Sequence, residues 1–490
     1  MTPADARGAA DPGPLLDPEA PTEVDELGGW VEPTAALGAL GGARRAVLLL
    51  SGAEGHPASR FSILARDPVA EIRLLPGVVE VDRRPQGGAV TRIEADPFAV
   101  LRRLLPAGVA APDDLPWNGG AIGFLGYALR TAIEQLPRAL PDPFDQADGW
   151  LGIYDEAILF DHRDRRVLRV GIEATGQGRR RAADRRATLR SILAGAARPR
   201  AAPVSLGAVE VTAATPRAGY LGAIERALAH IAAGDLYQVN LSHRIEAPLR
   251  ETAIDLFVRL AAANPAPFAA FLDTGAMQIV SASPERFVSL RDGVAESRPI
   301  KGTRPRGATP LEDVALARAL QASPKDRAEN VMIVDLVRND LGRVARPGSV
   351  RVETLWGLES FATVHHLVST VTGRLRADRD RIDLVRALFP GGSMTGAPKI
   401  RAREVIAALE REERGVYAGA IGHLGRDGGL DLNIVIRTIV CAGGRAMFRV
   451  GGGIVADSDP GAEHAETLDK ARALLAALGG RLPVSERSPA

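Results

Sequence analysis

Short apolar runs separated by turn residues fill the first third of the chain and restrict its fold more than any other feature. Between Trp30 and Ile172, segments such as AVLLLSG, RFSILA and LGIYDEAILF alternate with Gly, Pro and Asp, which is typical of consecutive strands joined by turns. Farther along, strand and helix patterns mix without the regular βαβ alternation of a parallel sheet. The sequence therefore predicts a mixed α+β fold and argues against a nucleotide-binding parallel sheet.

Composition divides the 490 residues into five segments. Residues 1–29 carry seven acidic side chains against one arginine, with many Pro, Gly and Ala, and are predicted to be a disordered acidic tail. Residues 30–173 are predicted to form an N-terminal lobe, residues 174–206 an Arg-rich solvated helix and linker, residues 207–482 the catalytic region and residues 483–490 a C-terminal tail. The arginines of the linker region lack aromatic neighbours, so no nucleic-acid partner is predicted.

Charge and cysteine content limit the partners and the compartment. A formal net charge of +1 gives no general attraction to nucleic acid or to an anionic surface. The single cysteine, Cys441, cannot form an intramolecular disulfide, which favours a reducing compartment and predicts the cytoplasm. No run of about 18 apolar residues occurs, so no membrane span is predicted, and the acidic N-terminus does not resemble a signal peptide.

A predicted strand carries polar side chains on one of its faces. In LYQVNLSH (residues 236–243) the apolar residues face one side, whereas Gln238 and Asn240 face the other. Gln238 is therefore expected to point at whatever the second face lines.

Three acidic side chains on two predicted helices are candidates for binding a hard cation. Glu329 shares the apolar face of a helix that begins after Ser323, and Glu463 and Glu466 lie one turn apart on a helix capped by Asp459. Mg²⁺ takes one or two carboxylates together with water and ligand oxygens, so Glu329 and Glu466 could hold it against an anionic substrate. The alternatives are a salt bridge between Glu329 and an arginine, and a simple helix-dipole role for Glu463 and Glu466.

Other segments indicate an anion-binding pocket. Three glycines at 451–453 follow the strand MFRV and let backbone amides approach a ligand, and the loop GGSMTGA at 391–397 has free amides but lacks the lysine of a phosphate loop. Arg437 is predicted on a strand, where its guanidinium needs either a substrate carboxylate or a protein acid. His365 and His366 have no second ligand at a zinc spacing, so a zinc site is not predicted.

One lysine stands in a shaped basic loop. RPIKGTRPRG (residues 298–307) interleaves cations with Pro and Gly, which favours an ordered loop that binds a small anion. Glu285 precedes Lys301 by sixteen residues, a separation that allows a strand and a turn to return both side chains to one site. A neutral lysine is a nucleophile, and a nearby glutamic acid with a raised pKa can donate a proton to a leaving hydroxyl. These residues alone indicate a magnesium-assisted reaction on a small polyanion.

Six motifs in the same order resemble the chorismate-utilising enzymes. They are SPERF, PIKGTRPRG, AENVMIVDLVRNDLGRV, GGSMTGAPKIRA, YAGAIGHLG and GGGIVADSDPGAEHAET, and the N-terminal lobe adds weaker matches. The resemblance implies a two-lobed sandwich of mainly antiparallel sheets packed face to face, with helices outside.

Two positions indicate a branch of that family. In anthranilate synthases the position matching Lys301 is typically Ala, and in isochorismate and salicylate synthases the position matching Gln238 is a Lys that activates water. The resemblance therefore implies amination of chorismate at C4: Lys301 adds to C2, Glu285 protonates the departing C4 hydroxyl, and ammonia displaces Lys301 to give 4-amino-4-deoxychorismate for 4-aminobenzoate and folate. The alternatives are an anthranilate-forming enzyme and a noncatalytic chorismate or tryptophan sensor.

The same resemblance implies ligands and partners. Glu329 and Glu466 match Mg²⁺ ligands, with Glu463 close by, and a separate glutamine amidotransferase subunit would supply ammonia because Cys441 has no nucleophile-elbow setting. The matching substrate-binding positions are Gln238, Gly302, Thr303, His366, Thr395, Tyr417, Arg437, Gly451, Gly452 and Gly453. The positions matching a tryptophan pocket are Ser51, Pro267 and Phe268.

Overall fold

The computed structural model describes residues 13–40, 44–53, 55–84, 88–112, 115–172, 178–196, 209–361 and 364–482. The α-helices within these ranges are α1 Pro33–Ala39, α2 Pro97–Leu104, α3 Gly178–Ala196, α4 Arg217–Ala232, α5 Ala253–Ala263, α6 Pro310–Ala322, α7 Pro324–Gly342, α8 Arg381–Leu388, α9 Lys399–Glu410 and α10 Pro460–Leu478. The strands are β1 Thr22–Gly28, β2 Val47–Leu50, β3 Phe61–Ala65, β4 Ala70–Leu75, β5 Val78–Asp82, β6 Val90–Ile93, β7 Gly120–Leu125, β8 Gly149–Tyr154, β9 Glu156–Asp161, β10 Arg166–Ile172, β11 Val209–Glu210, β12 Thr212–Ala213, β13 Gln238–Pro248, β14 Phe268–Asp273, β15 Gln278–Ser283, β16 Arg286–Arg291, β17 Val294–Arg298, β18 Ile300–Pro305, β19 Arg351–Ser360, β20 Val364–Arg374, β21 Gly396–Ala397, β22 Ala420–Gly425, β23 Leu430–Ile434, β24 Thr438–Ala442, β25 Arg445–Ile454 and β26 Gly480–Arg481.

Two large antiparallel sheets form the frame. Sheet I has the order β1-β10-β9-β3-β2-β14-β15-β24-β25-β13-β12, with β21 also paired to β13. Sheet II has the order β18-β20-β17-β16-β23-β22-β7-β8-β4-β5-β6, with β19 also paired to β20. The pairs β2·β14 and β7·β22 join strands of the predicted N-terminal lobe to strands of the predicted catalytic region, so each sheet is built from both. The predicted mixed α+β fold of antiparallel sheets is confirmed.

Four apolar cores hold the sheets and helices in layers, and one of them packs α4 and α9 against β13. The core between the sheets includes Phe124 of sheet II and Leu159 and Ile279 of sheet I, each almost completely buried, so the sheets pack face to face. A second core joins the other face of sheet II to α2, α7 and α8, and a third joins the other face of sheet I to α1, α3, α5 and α10. Each sheet is buried on both faces because one face packs against the other sheet and the opposite face packs against helices.

Part of the predicted acidic tail is ordered, so the prediction of disorder is wrong for residues 22–28. That segment is β1, paired antiparallel with β10. Two of its acids, Glu23 and Asp25, contact the guanidinium of buried Arg169 at 3.1 and 2.9 Å. The two acids thus neutralise a buried cation and order the segment that was predicted to be a disordered tail. Residues 1–12 lie outside the described ranges.

The Arg-rich segment contains the predicted helix, α3, but that helix is not solvated on all sides. Leu189, Ile192 and Leu193 are buried in the core that covers sheet I. One apolar stripe near the end of the helix is enough to dock it, while Arg185 and Arg190 are exposed. The predicted linker residues 197–206 lie outside the described ranges. In the part of the chain that is described, no helix is long and apolar enough to span a lipid bilayer.

Candidate active site

Lys301 lies on the edge strand β18 of sheet II and its amine reaches sheet I. A Cβ placed on Gly453 would lie 3.4 Å from Lys301 Nζ and 2.4 Å from Gln238 Nε2. Glycine at this position therefore makes room for both side chains. Burial lowers the pKa of Lys301 below its ordinary value, and the nearby cation Lys470 acts in the same direction, against the carboxylate of Glu329. The structure thus brings Lys301, Gln238 and Gly453 into one cleft between the sheets, where the neutral amine is favoured.

Glu285 follows β15 and is buried, with only 5% of its surface exposed. Its backbone carbonyl accepts a hydrogen bond of 3.0 Å from the Ile434 amide, which fixes this turn against β23. Burial raises the pKa of the Glu285 carboxyl to about 7, while a hydrogen bond from Ser393, the Lys301 amine and the Ile300 amide act in the opposite direction. A carboxyl with this pKa keeps its proton near neutrality and can still release it, as a general acid must.

Replacing Glu285 with glutamine is expected to stabilise the fold more at pH 8 than at pH 5. The folded-state pKa of about 7 exceeds the ordinary 4.5, so the folded protein holds a proton that the unfolded chain has lost, and stability falls as pH rises through that window. At about 1.4 kcal/mol per pKa unit, the neutral amide removes a cost of about 3 kcal/mol above pH 7. Thermal midpoints at both pH values would measure this, with the exposed Glu225→Gln as control. An equal gain at both pH values would contradict it.

His366 forms one wall of the same cleft. Its Nδ1 lies 2.8 Å from the Thr303 hydroxyl, and its Nε2 has no partner among the described residues. Burial lowers the pKa of His366 to about 3, with Arg437 acting in the same direction, so the imidazole is neutral. Gly302 adopts φ +85° and a Cβ there would approach the Asp326 side chain to 2.9 Å, which explains a glycine beside the lysine.

Arg437 does not lie on a strand, so that prediction is wrong. β23 ends at Ile434 in sheet II and β24 begins at Thr438 in sheet I, and Arg437 lies in the link between them with φ 51°. The chain must turn sharply here because it crosses from one sheet to the other. Burial lowers the pKa of Arg437, and within the described ranges no protein acid pairs with its guanidinium. The sequence predicts either a substrate carboxylate or a protein acid as the partner of Arg437. The described residues supply no protein acid, which leaves the substrate carboxylate.

Thr395 and Tyr417 meet around Asn240 of β13. The Thr395 carbonyl accepts a 3.0 Å hydrogen bond from the Asn240 amide. Arg414 donates a 2.7 Å hydrogen bond to the Asn240 carbonyl and lies 5.8 Å from the Tyr417 ring centroid. Burial raises the pKa of Tyr417 to about 12, so the phenol keeps its proton and can act as a donor. The glycine loop and the tyrosine are therefore fixed to the strand that carries Gln238.

The three acidic side chains expected near the metal, Glu329, Glu463 and Glu466, have different partners. Burial raises the pKa of Glu329 on α7, and the Glu466 carboxylate on α10 is close enough to add to the rise. Glu466 is about half exposed and contacts Lys470 at 2.8 Å. Glu463 is buried, accepts a 2.7 Å hydrogen bond from Ser458, and has an oxygen 3.0 Å from where a Cβ on Gly452 would lie.

Two of these acids fit a single hard cation. Within the described ranges, no group of three or more His, Cys, Asp or Glu side chains is arranged to hold a metal ion. The Glu466 carboxylate adds to the cost of ionising Glu329, whereas Lys470 lowers the pKa of Glu466 and keeps it ionised. Mg²⁺ binds through one or two carboxylates with water and ligand oxygens. The residues present therefore fit Mg²⁺ held by Glu329 and Glu466, with Glu463 close by.

Two contacts of the site were not foreseen from the sequence. Lys470 donates a 3.0 Å hydrogen bond to the Gly451 carbonyl besides contacting Glu466, and its position four residues after Glu466 was a usable signal. Ser393 reaches Glu285 from a loop more than a hundred residues away, and no local pattern could have indicated that contact.

The three residues expected for a tryptophan pocket lie on adjacent segments. The Gly52 amide, next to Ser51, donates a 2.9 Å hydrogen bond to the Ala266 carbonyl, next to Pro267. Ser51 itself donates a 2.6 Å hydrogen bond to the Phe61 carbonyl. The structure thus brings Ser51 to the turn that carries Pro267 and Phe268.

The fold and this cleft define an enzyme of one family. Residues 55–476 match the family model described as chorismate binding enzyme, and the chain belongs to that family.

Relatives with two different activities resemble the chain closely. It is 43% identical over 435 residues to aminodeoxychorismate synthase component 1 of Klebsiella aerogenes, covering 88% of this chain and 93% of that protein. It is 41% identical over 474 residues to anthranilate synthase component 1 of Streptomyces coelicolor, covering 94% and 88%. It is 48% identical over 375 residues to aminodeoxychorismate synthase of Streptomyces griseus, covering 75% of this chain and 51% of that protein. The chain thus spans about half the length of the S. griseus relative.

Solved structures show the same fold. Anthranilate synthase component I from Streptococcus pneumoniae superposes with a TM-score of 0.75 at 35% identity, covering 86% of this chain and 92% of that one. The menaquinone-specific isochorismate synthase MenF from Escherichia coli superposes with a TM-score of 0.66 at 18% identity, covering 94% and 95%. The second similarity extends to the fold alone.

Proposed function

We propose that this chain catalyses the aminodeoxychorismate synthase reaction, converting chorismate and ammonia to 4-amino-4-deoxychorismate, a precursor of 4-aminobenzoate and folate. The observation that carries the proposal is the Lys301 amine, which lies in the cleft beside Gln238 and Gly453 and within electrostatic reach of the Glu285 carboxyl. Relatives with this name cover most of the chain. Lys301 also separates this reaction from anthranilate formation, where ammonia attacks C2 directly and no lysine nucleophile is needed.

Lys301 and Glu285 would carry two linked allylic displacements. In the first, the lone pair of the Lys301 amine forms a bond to C2, the two ring double bonds shift, and the C4–O bond breaks as the hydroxyl takes the Glu285 proton and leaves as water. In the second, ammonia forms the C4–N bond, the double bonds shift back, and the C2–N bond breaks, returning its electron pair to Lys301. The new C4 ammonium then gives a proton to the Glu285 carboxylate, which restores the acid.

The other pocket residues would bind and orient the substrate. Arg437, which has no protein counter-ion among the described residues, would pair with a substrate carboxylate, and Tyr417 would donate a hydrogen bond. Glu329 and Glu466 would hold Mg²⁺, which supplies positive charge for the ring carboxylate. The neutral His366 and the amides of the Gly451–Gly453 segment would line the remaining wall.

Ammonia would come from a separate glutamine amidotransferase subunit. Cys441 is fully buried in β24, and burial raises its pKa to about 12, so its thiol is not an activated nucleophile. The name component 1 borne by relatives is that of one part of a larger assembly. The cysteine content also leads us to propose a cytoplasmic location.

A tryptophan pocket at Ser51, Pro267 and Phe268 is part of the same proposal. The contact between the Ser51–Gly52 segment and the turn before Phe268 supports it, because the three residues lie on touching segments.

Product analysis tests the proposed function. The purified chain with chorismate, an ammonium salt and Mg²⁺ is expected to form a nonaromatic amino product without releasing pyruvate, and glutamine is expected to replace the ammonium salt only when the amidotransferase subunit is added. Fluorescent anthranilate with equal pyruvate would show anthranilate synthase instead. Chorismate binding without turnover would show a noncatalytic sensor. Equal use of glutamine by the chain alone would contradict the separate subunit.

A further inference from the structure

Two links of the chain cross side by side from one sheet to the other. Residues 284–285 join β15 of sheet I to β16 of sheet II, and residues 435–437 join β23 of sheet II to β24 of sheet I. Because β15 pairs with β24 and β16 pairs with β23, the two links run next to each other in opposite directions. One link carries Glu285, the proposed proton donor, and the other carries Arg437, proposed to bind a substrate carboxylate.

Hydrogen bonds tie the two links together. The Ile434 amide donates to the Glu285 carbonyl at 3.0 Å, and the Ala282 amide donates to the Arg437 carbonyl at 3.0 Å. Between them, the Ser283 hydroxyl donates to the Ile434 carbonyl at 2.6 Å and accepts from the Glu285 amide at 3.4 Å. The Ser283 side chain therefore bonds both to the residue that carries the acid and to the residue that precedes the second link.

Ser283 holds the Glu285 link more than it holds the Arg437 link. Ser283 has no exposed surface, so removal of its hydroxyl leaves the Glu285 amide without this acceptor in a place that water does not reach. The Arg437 link keeps the bond from the Ala282 amide, and the hydroxyl of the adjacent Thr438 still donates to Ser281 at 2.8 Å. Loss of the Ser283 hydroxyl is therefore expected to loosen the acid and to leave the guanidinium in place.

We propose that Ser283 is a positioning residue for the reaction. Its hydroxyl sets the Glu285 carboxyl relative to Arg437, so that the acid meets the C4 oxygen while Arg437 binds a substrate carboxylate. A general acid must lie within hydrogen-bond reach of the oxygen that it protonates, and a displacement of about 1 Å can cost about 100-fold in rate. Ser283 acts through Glu285 and not on the substrate. This inference rests on the proposed function.

The Ser283→Ala substitution tests the assignment by steady-state kinetics with saturating ammonium and Mg²⁺. The kcat for C4 amination is expected to fall at least about tenfold, which corresponds to about 1.4 kcal/mol of activation free energy. The KM for chorismate is expected to stay within about twofold, because Arg437 keeps its own hydrogen bonds.

The same substitution in a Glu285→Gln background separates positioning from a general structural role. If Ser283 acts through the acid, removal of its hydroxyl should change kcat by less than about twofold once the carboxylic acid is absent. Mass spectrometry of the products follows the slow rates of this background.

Ser62→Ala is the control for the loss of a buried hydroxyl. Ser62 has no exposed surface, and its hydroxyl accepts a 3.0 Å hydrogen bond from the Ser51 amide and lies 2.7 Å from His162 Nε2, within the N-terminal lobe. Its removal should lower the thermal midpoint and leave kcat unchanged.

Three results would overturn the role of Ser283. They are an unchanged kcat in Ser283→Ala, a rise in the KM for chorismate alone, and equal losses of kcat with and without the Glu285 carboxyl. Ser283→Cys keeps the shape with a weaker donor and replaces the alanine variant in both backgrounds if that variant does not fold, as judged by its thermal midpoint. A wild-type chain that makes no C4-aminated product would instead refute the proposed function, so the two failures are distinguishable.

Discussion

Replacing Lys301 with alanine is expected to lower the rate of C4 amination by about three orders of magnitude or more. The substitution removes the amine that bonds to C2, and the other three lysines of the chain are paired or exposed. Lys399 is bound to Asp340 and Lys470 to Glu466, and Lys325 is exposed. Loss of a covalent nucleophile typically has effects of this size. Mass spectrometry of the products formed from chorismate, ammonium and Mg²⁺ measures it.

The accompanying variant is Lys301→Arg. Arginine keeps the positive charge but does not become neutral at ordinary pH, so it cannot act as the nucleophile. We expect it to be as inactive as the alanine variant. In the alanine variant some C2-aminated product is expected, because direct attack by ammonia is then the remaining route. Undiminished C4 product from Lys301→Ala, or high activity of Lys301→Arg, would remove Lys301 from the mechanism as a nucleophile.

Removing Mg²⁺ is expected to abolish turnover. The Glu329→Gln substitution is expected to raise the Mg²⁺ concentration that gives half the maximal rate at least about tenfold, which corresponds to about 1.4 kcal/mol of binding free energy. Burial raises the pKa of Glu329 because the nearby lysines offset only part of the cost of burying its negative charge. A bound cation would offset the rest of that cost. A second readout is the thermal midpoint with chorismate present, which Mg²⁺ should raise in the wild type and not in the variant.

Asp335→Asn is the matched control on the same helix. Asp335 is exposed and pairs with Arg338 on the outer face of α7, so its loss should leave the dependence on Mg²⁺ unchanged. Full activity in excess chelator, or equal effects of the two substitutions, would exclude Glu329 from a metal site.

The sequence correctly predicts helix ends that are set by neighbouring residues. It does not predict features that depend on contacts between residues far apart in the chain. Ser323 and Asp459 cap α7 and α10 as predicted, because a cap is decided by the residues within one turn. Arg437 was assigned to a strand because the apolar run around it is continuous, yet the chain leaves one sheet for the other at that residue. Likewise the composition around Glu23 predicts a disordered tail, because its partner Arg169 lies nearly 150 residues away.

By itself the sequence determined the mixed antiparallel fold, the family and the identities of the groups available for chemistry, because turn residues, strand alternation and ordered motifs are local properties. Only the tertiary structure decided which of those groups meet. It placed the Lys301 amine of one sheet against Gly453 and Gln238 of the other, and it buried Glu285 far enough to raise its pKa to about 7. Proximity and burial depend on the packing of both sheets, and a pKa is set by that environment and not by residue type alone.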